Sequence, residues 1–407
     1  MSVSLPNDFI EYTRSLFGEE RWQRYLNAFD EPTPVSIRLN PYKTSVHVDA
    51  IRLQLISSSP VDTPVPWCRG GYYLSERPNF TLDPLFHAGA YYVQEASSMF
   101  LDHVVRQLST NSIQPSTVLD LCAAPGGKST LLRSAIPDDA VLYSNEPDRR
   151  RANILMENIQ KQGHPNVIVT NNYPRDYRKS GMQFDMILAD VPCSGEGMFR
   201  KDEGAIKEWS VGNVMKCQAL QRSIIEDIWQ CLRSGGIMVY STCTFNTRED
   251  EENVRWIIEN YDAEIVPIET NPDWNITGSL LEGFDAPVYR FIPGITKGEG
   301  LFMAVLRKKQ GDGGKHVNKG KAVLKCLQSP EHTEALLVNT PKDNYARVEL
   351  SKDDALRYLH REALVLPHDT PRGLVIVTYM GLPLGFVKNI GNRANNLYPK
   401  EWKIRNL

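Results

Sequence analysis

Several marks of secreted, membrane and metal-binding proteins are missing from this 407-residue sequence. The seven cysteines are scattered and include no C-x-x-C pair, which argues against a disulfide framework and a structural zinc site. No stretch approaches the ~20 apolar residues of a membrane span, and the first residues lack the basic head and apolar run of a secretory signal. We therefore expect a monomer in the reducing cytoplasm, with no membrane partner and no metal.

A large excess of charge of one sign is also missing, because the net charge is -3. The two parts of the chain differ, however. Residues 301–407 hold 18 Lys and Arg against 10 Asp and Glu, a net charge of +8, and residues 1–300 carry -11. A basic tail of this kind is compatible with nucleic-acid binding and equally with a plain solvated surface.

Residues 1–85 predict a small α+β domain. Apolar residues at helical spacing predict a helix over about 6–30, alternation in PVSIRLNP predicts a strand over 34–41, and a short helix is expected over about 45–56. Another helical stretch, AYYVQEASSMFLDHVV, is expected from about Ala90.

Residues 86–309 predict an α/β domain. Short β-rich runs alternate with helical stretches such as 148–162 and 216–232, which indicates a mostly parallel sheet with helices on both faces. A last run, GLFMAVLRKK, is expected as an edge strand. A Gly- and Lys-rich linker over 310–323 then leads to a small β-rich domain, 324–407, with two strand-like runs around a Gly-containing turn.

The segment VLDLCAAPGGKST carries the first candidate binding site. A predicted strand ends at Asp120, and Gly126 and Gly127 open a helix after a turn of small residues. Ligands of open α/β sheets bind beyond the carboxyl ends of the strands. The glycine spacing fits neither G-x-G-x-x-G nor a P-loop, so we expect a bulky ligand with little phosphate; an ordinary strand-to-helix turn is the alternative.

The next two strands end in polar residues at the same edge. Glu146 lies 26 residues after Asp120, where a doubly wound fold places a carboxylate for ribose hydroxyls; alternatively it caps the helix that begins near Asp148. Asn171 and Asn172 follow the third strand, where they either contact an adenine ring or shape a turn.

The fourth and fifth strands bring a carboxylate and two thiols to this edge. Asp190 ends FDMILAD and Cys193 follows it, whereas Cys243 ends IMVYSTCT. A helix is expected directly after Cys243, and a helix N-terminus lowers a thiol pKa, whereas the acidic residues 249–252 oppose that shift. Each cysteine is a candidate nucleophile, and a small buried apolar side chain is the alternative for each.

Three segments in this order resemble the signature motifs of the Nop/Sun family of RNA (cytosine-5) methyltransferases: LDLCAAPGGK, ADVPCSGEGMFRKD and YSTCTFNTREDEEN. The domain order is similar to the bacterial branch that methylates small-subunit (16S) ribosomal RNA. The resemblance implies a Rossmann-like class I S-adenosylmethionine-dependent methyltransferase core. It also implies an RNA-binding α+β N-terminal domain, an RNA-binding β-rich, PUA-like C-terminal domain, and ribosomal RNA, within the small subunit, as partner.

The resemblance assigns the cofactor site as well. S-adenosylmethionine would be held by Cys122, Ala123, Ala124, Pro125, Gly126, Gly127, Lys128, Glu146 and Asp190. Many members have an aspartate where this chain has Tyr173, so Asn172 is the candidate substitute for the adenine contact.

The catalytic roles follow from the same resemblance. Cys243 corresponds to the nucleophile and Cys193 to a helper in product release. Cytosine C5 is a poor nucleophile, so a thiolate adds to C6 first, C5 takes the methyl group, and a base then removes the C5 proton. Asp190 would contact the base, which must leave its stack, and Arg200 and Lys201 either bind neighbouring phosphates or lie on a plain surface.

Three alternatives stay open. The enzyme could act on transfer RNA or on DNA, although a DNA enzyme would use the P-C cysteine as nucleophile and would not require STCT. A non-catalytic RNA-binding ribosome assembly factor would have no use for Asp190, Cys193 and Cys243 together. A nicotinamide dehydrogenase is disfavoured by the missing glycine fingerprint.

Overall fold

The computed structural model describes residues 4–44, 61–110, 113–309, 323–328, 333–338 and 345–405. The strands are β1 Val35–Leu39, β2 Val61–Pro64, β3 Gly71–Leu74, β4 Tyr91–Val93, β5 Thr117–Asp120, β6 Val141–Asn145, β7 Val167–Thr170, β8 Phe184–Asp190, β9 Leu232–Thr242, β10 Ala263–Ile265, β11 Tyr289–Phe291, β12 Leu301–Lys308, β13 Ala346–Glu349, β14 Gly373–Tyr379, β15 Leu382–Asn389 and β16 Ala394–Asn396. Short 3-10 helices are Ala28–Asp30, Phe80–Leu82, Ser97–Met99, Glu196–Met198, Trp229–Cys231, Pro272–Trp274 and Lys400–Trp402.

The α-helices of the described residues are α1 Asn7–Asn27, α2 Pro41–Thr44, α3 Pro84–His87, α4 Phe100–Thr110, α5 Gly127–Ala135, α6 Arg149–Gln162, α7 Pro174–Ser180, α8 Glu203–Glu208, α9 Val211–Ile228, α10 Glu251–Asn260, α11 Thr333–Leu336 and α12 Lys352–Leu359. None of them combines the length and the apolar character that a membrane crossing requires.

The N-terminal sheet has the strand order β2-β3-β1-β4. The predicted start of a helix at Ala90 is wrong, because residues 91–93 form β4 and α4 begins only at Phe100. In β4, Tyr91 pairs with Leu39 and Val93 with Ile37. Aromatic and β-branched residues suit a β-strand, and residues 91–93 become a strand because β1 lies beside them. The predicted helix over about 45–56 lies outside the described residues.

The central sheet has the order β10-β12-β9-β8-β5-β6-β7, with β11 also beside β12. Its strands β5 to β9 pair in parallel, as the alternation of strands and helices predicted. The expected edge position of GLFMAVLRKK is wrong. β12 pairs antiparallel with β9 on one side and with β10 and β11 on the other, which agrees with the burial of residues 301–306 on both faces.

The C-terminal sheet has the order β13-β14-β15-β16. The two predicted strand-like runs form the β14–β15 hairpin, in which Met380 (φ 50°) and Gly381 (φ 74°) make the turn with positive φ at both positions. Tyr358 and Leu359 of α12 share one apolar cluster with Ile37 of β1. Helix α3 contacts α12 and β15, so the C-terminal region packs against the N-terminal region. Residues 310–322 of the predicted linker lie outside the described part.

Candidate active site

The turn between β5 and α5 is compact because of its glycines. Gly126 has φ 118°, a backbone conformation that L side chains rarely adopt. A Cβ at Gly126 would lie 3.3 Å from Leu155, and one at Gly127 would lie 3.3 Å from the Tyr92 ring. The turn thus has the close-packed backbone that its run of small residues predicted.

The other residues of the turn are tied down through their backbone. Ala123 donates its N–H to the Asn145 carbonyl oxygen at 2.7 Å, and the carbonyl oxygen of Ala124 accepts from Arg151 at 2.9 Å. The Ala124–Pro125 peptide bond is cis, and the Pro125 carbonyl oxygen accepts from Asn158. Burial raises the pKa of the Cys122 thiol, which keeps this sulfur protonated and unsuited to act as a third nucleophile.

Asp120 presents a buried carboxylate beside this turn. Its Oδ2 accepts a hydrogen bond from Ser129 Oγ at 2.6 Å, whereas Oδ1 receives none from the residues that the structure describes. Burial raises the pKa of Asp120 to about 7.

Glu146 has the local role at the entry to α6 that its position suggested, and it keeps one oxygen for a second partner. It follows β6 and is 3% exposed. Its Oε1 accepts the N–H of Asp148 at 3.0 Å, which shapes the entry to α6. Its Oε2 lies 3.4 Å from the Arg151 guanidinium but accepts no hydrogen bond within the described ranges.

One oxygen of Asp120 and one of Glu146 are therefore buried acceptors at the carboxyl end of the sheet that receive no hydrogen bond from the described residues. Such atoms are costly unless a ligand bonds to them. Ribose hydroxyl groups are donors of the required kind. The edge formed by β5 and β6 thus offers acceptors of the kind that the ribose of S-adenosylmethionine would use.

Asn172 is placed differently from the adenine contact that we expected. Its Oδ1 accepts the N–H of Lys325 at 2.9 Å, and its Nδ2 donates to the Lys325 carbonyl oxygen at 3.1 Å. The residue is 5% exposed. Both ends of the amide are engaged with a segment far away in sequence, which single-sequence reasoning had no means of finding, so the geometry does not support the adenine role.

Cys193 and Cys243 meet at the ends of β8 and β9. Their sulfur atoms are 3.1 Å apart, and the N–H of Cys243 lies 3.3 Å from the Cys193 sulfur as a donor. Both residues are partly accessible to solvent. The two thiols that the sequence placed at separate strand ends are thus one pair.

The contact makes the two thiols unequal. The hydrogen bond between the sulfurs lowers the pKa of Cys243 and raises that of Cys193, and the ammonium of Lys128 adds to the lowering at Cys243. The prediction that a helix N-terminus directly after Cys243 lowers its pKa is wrong, since α10 begins only at Glu251. The thiolate form is therefore favoured at Cys243 by its neighbours in space.

Asp190 lies beside the thiol pair and is held from two sides. Lys128 Nζ donates to Oδ2 at 2.8 Å, and Ser241 Oγ donates to Oδ1 at 2.7 Å. The Asp190 side chain is 27% exposed. Burial lowers and Asp190 raises the pKa of Lys128, with a net upward shift. Lys128, expected among the cofactor residues, thus links the cofactor turn to Asp190.

A wall of buried carboxylates supports the loop after Cys243, and the sequence analysis missed it. Glu196 Oε2 accepts the N–H groups of Phe245 at 2.8 Å and Asn246 at 3.0 Å. Glu249 Oε2 accepts the N–H of Ser194 at 3.0 Å, and Asn246 Nδ2 donates to both carboxylates. These bonds hold the loops of both cysteines in one arrangement.

Two G-E-G turns pack beside these carboxylates. The repeated sequence, SGEGMF and KGEGLF, is the feature from which the two turns could have been predicted. The N–H of Gly197 donates to the Cys243 carbonyl oxygen at 2.9 Å. A Cβ added at Gly300 would lie 2.4 Å from the Cα of Gly197. The backbone that anchors Cys243 therefore packs directly against a second glycine turn.

Arg200 belongs to the wall as well, so its expected contact with RNA phosphates is wrong. Its side chain is 5% exposed and forms an ion pair with Glu299 at 2.8 Å, while its NH2 group donates to the Glu31 carbonyl oxygen. Lys201 is exposed.

Comparison with protein families matches three consecutive parts of the chain. The model for 16S rRNA methyltransferase RsmB/F matches residues 109–307, that for the N-terminal domain of 16S rRNA methyltransferase RsmF matches 5–96, and that for the methyltransferase RsmF PUA domain matches 345–404.

Solved structures agree with this assignment. A methyltransferase homologue from Pyrococcus horikoshii has a TM-score of 0.64 at 29% identity, over 75% of this chain and 96% of its own. NSun6 from the same organism shares the fold, with a TM-score of 0.63 at 20% identity over 76% of this chain and 100% of its own. The predicted Rossmann-like methyltransferase core is confirmed.

Curated relatives match over almost the full length. Ribosomal RNA small subunit methyltransferase F of Escherichia coli O157:H7 (strain EC4115 / EHEC) is 31% identical, over 98% of this chain and 97% of the relative. The same enzyme of Enterobacter sp. (strain 638) is 30% identical, over 98% and 96%. With three family models in the same order, these relatives confirm the predicted resemblance, and the chain belongs to the family of ribosomal RNA small subunit methyltransferase F.

Proposed function

We propose that this protein transfers the methyl group of S-adenosylmethionine to C5 of a cytosine in small-subunit ribosomal RNA. The observation that carries the proposal is the pair Cys193 and Cys243, with sulfurs 3.1 Å apart, next to Asp190 and the cofactor turn. Family membership supports the methyl donor and the RNA substrate. Methylation of C5 requires a thiol nucleophile, which most other methyl transfers do not, and the second thiol suits the later removal of the C5 proton.

Cys243 is the nucleophile in this proposal. Its lowered pKa favours the thiolate, which adds to C6 of the cytosine and moves electron density onto C5. When bound, S-adenosylmethionine supplies the electrophilic methyl group. The anchored backbone of Cys243 holds the sulfur in place while C5 reacts.

Asp190 positions the base. Its carboxylate, held by Lys128 and Ser241, faces the same edge as the thiols and suits the exocyclic amino group of cytosine, which is a hydrogen-bond donor. Lys128 also brings a positive charge close to the site of charge accumulation.

Cys193 completes the reaction. In the resting pair its hydrogen lies toward the Cys243 sulfur, and this contact is lost once Cys243 is bonded to C6. Cys193 then loses its own proton to solvent, and its thiolate, or a water that it positions, removes the C5 proton. The double bond between C5 and C6 re-forms as the bond from C6 to the Cys243 sulfur breaks.

The flanking regions supply RNA binding. We assign residues 1–85 and 324–407 to RNA-binding domains around a catalytic domain over 86–309 and a linker over 310–323, in a monomeric cytoplasmic enzyme that acts within the small subunit. The PUA match at 345–404 supports the assignment of the C-terminal domain.

Mapping of 5-methylcytosine in cells with and without the protein tests the proposal. We expect one or more cytosines of 16S ribosomal RNA to lose the modification, with restoration by the wild-type chain and none by Cys243→Ala. Loss confined to transfer RNA, or no loss at all, would contradict it.

A further inference from the structure

We propose that residues 323–328 form part of the wall of the cofactor site at its adenine end, so that cofactor binding depends on the docking of this segment. The inference rests on the proposed cofactor position across the carboxyl ends of β5, β6 and β7. Residues 323–328 lie between the family matches at 109–307 and 345–404, and therefore in neither the catalytic nor the PUA region.

The segment extends the central sheet at its last strand. Leu327 donates its N–H to the Val169 carbonyl oxygen at 2.9 Å, the Lys325 carbonyl oxygen accepts the N–H of Asn171 at 2.9 Å, and Cys326 forms an antiparallel bridge with Thr170. An edge strand such as β7 presents unpaired backbone groups, and residues 323–328 satisfy several of them.

Side chains add two further contacts, and both lie at the carboxyl end of the sheet. The Asn172 amide binds the backbone of Lys325 through both of its ends. Leu327 packs against the apolar cluster that contains Ala123 and Ala124 of the cofactor turn. The segment thus bonds directly to the loop after β7 and shares an apolar cluster with the loop after β5.

Hydrogen bonds connect the loop after β7 to Glu146, the residue proposed for the ribose. Asn171 Nδ2 donates to the carbonyl oxygens of Glu146 and Pro147, each at 2.8 Å, and Asn145 Nδ2 donates to those of Leu121 and Asn172, each at 2.9 Å. The loops after β5, β6 and β7 are therefore one hydrogen-bonded unit.

A cofactor bound across these loops would meet them in the positions that the segment stabilises. Asn171, Asn172 and Leu327 are accordingly positioning residues. They hold the backbone that carries Glu146, and the chain that joins the catalytic and C-terminal regions becomes part of the cofactor site.

Calorimetric binding of S-adenosylhomocysteine to full-length variants tests the proposal. Asn172→Ala and Leu327→Asp should each weaken the binding constant about tenfold, the effect of one lost hydrogen bond or packing contact near a ligand. Lys325→Ala is the matched control, because Lys325 is exposed and takes part only through its backbone; its affinity should stay within about twofold of the wild type.

Hydrogen exchange of the wild-type protein gives a second measurement that no folding defect can obscure. The amides of Lys325 and Leu327 should exchange more slowly once S-adenosylhomocysteine is added, since a bound ligand stabilises the loops to which they are bonded. Equal affinities for all variants, or exchange unaffected by the ligand, would overturn the inference while leaving the cofactor site intact. A wild-type protein that binds no S-adenosylhomocysteine would overturn both.

Discussion

At β5 and β6 the buried carboxylates of Asp120 and Glu146 each keep one oxygen without a hydrogen bond from the described residues, whereas every oxygen of Glu196 and Glu249 near the thiols accepts at least one. Asp120 and Glu146 therefore keep acceptors for a ligand. Glu196 and Glu249 use theirs in hydrogen bonds that hold the loops around the two thiols. Burial of a carboxylate alone therefore does not identify a binding residue, whereas an available acceptor at the carboxyl end of the strands is what a ligand with hydroxyl groups needs.

The largest effects are expected at the two sulfurs. Cys243→Ala should abolish methyl transfer from labelled S-adenosylmethionine to ribosomal RNA, because no thiolate is left to activate C5. Cys193→Ala should instead leave protein covalently attached to RNA, visible as a slowly migrating band on a denaturing gel. If Cys243→Ala were the variant that accumulates the adduct, the assignment of the two thiols would be reversed.

The wall around the thiols should be next in sensitivity. Glu196→Gln replaces an acceptor by a donor opposite the N–H groups of Phe245 and Asn246 or the Trp209 indole. We expect a loss of about 3 kcal/mol in the free energy of unfolding and about 100-fold in turnover through displacement of Cys243, with the affinity for S-adenosylhomocysteine unchanged.

Glu203→Gln is the control for that variant, because Glu203 is an exposed carboxylate at the start of α8. It should keep wild-type turnover and stability. If Glu196→Gln weakened the affinity for S-adenosylhomocysteine without a change in turnover, Glu196 would act on cofactor binding and not on the thiols, and the contrast with Asp120 and Glu146 would fail.

At the cofactor end the converse is expected. Glu146→Gln keeps an acceptor for Asp148 but lacks the charged oxygen for the ribose, so the affinity for S-adenosylhomocysteine should fall about tenfold. The free energy of unfolding should change little, since Oε2 has no hydrogen bond to lose within the described structure. Calorimetry and thermal unfolding on the same sample compare the two quantities, and unchanged affinity would contradict the ribose role.

The smallest effect is a shift in pH dependence. The rate of the first turnover should rise with pH through the pKa of Cys243, which lies below the ordinary thiol value of 9.0 because Cys193 donates to its sulfur. In Cys193→Ala that hydrogen bond is gone, so the rise should move to higher pH. Identical pH profiles in the two proteins would mean that the Cys193 contact does not set the thiolate population.

Much of the catalytic edge was open to prediction from the sequence. Strands of alternating and apolar character end at Asp120, Glu146, Asp190 and Cys243, and in a parallel sheet such ends must share one edge. The predicted short turn after Asp120 and the helices that follow the strands are local in the chain, which is why sequence patterns reveal them.

The misplaced elements have a different origin. Tyr91–Val93 is a strand because β1 lies beside it, and Leu301–Lys308 is internal because β10 and β11 cover its outer side. Asn172 was open to two readings in the sequence, and only the backbone of Lys325, 153 residues later, decides between them. Arg200 looked like a surface cation until Glu299 paired with it.

Local periodicity and strand-end chemistry thus settled which residues reach the ligand edge and what kind of reaction they suit. Tertiary packing decided which acceptors stay available, that the two thiols are in contact, and that residues 323–328 lie beside the loop after β7. These depend on hydrogen bonds and burial between groups 50 or more residues apart, and no pattern within a short window of the chain carries that information.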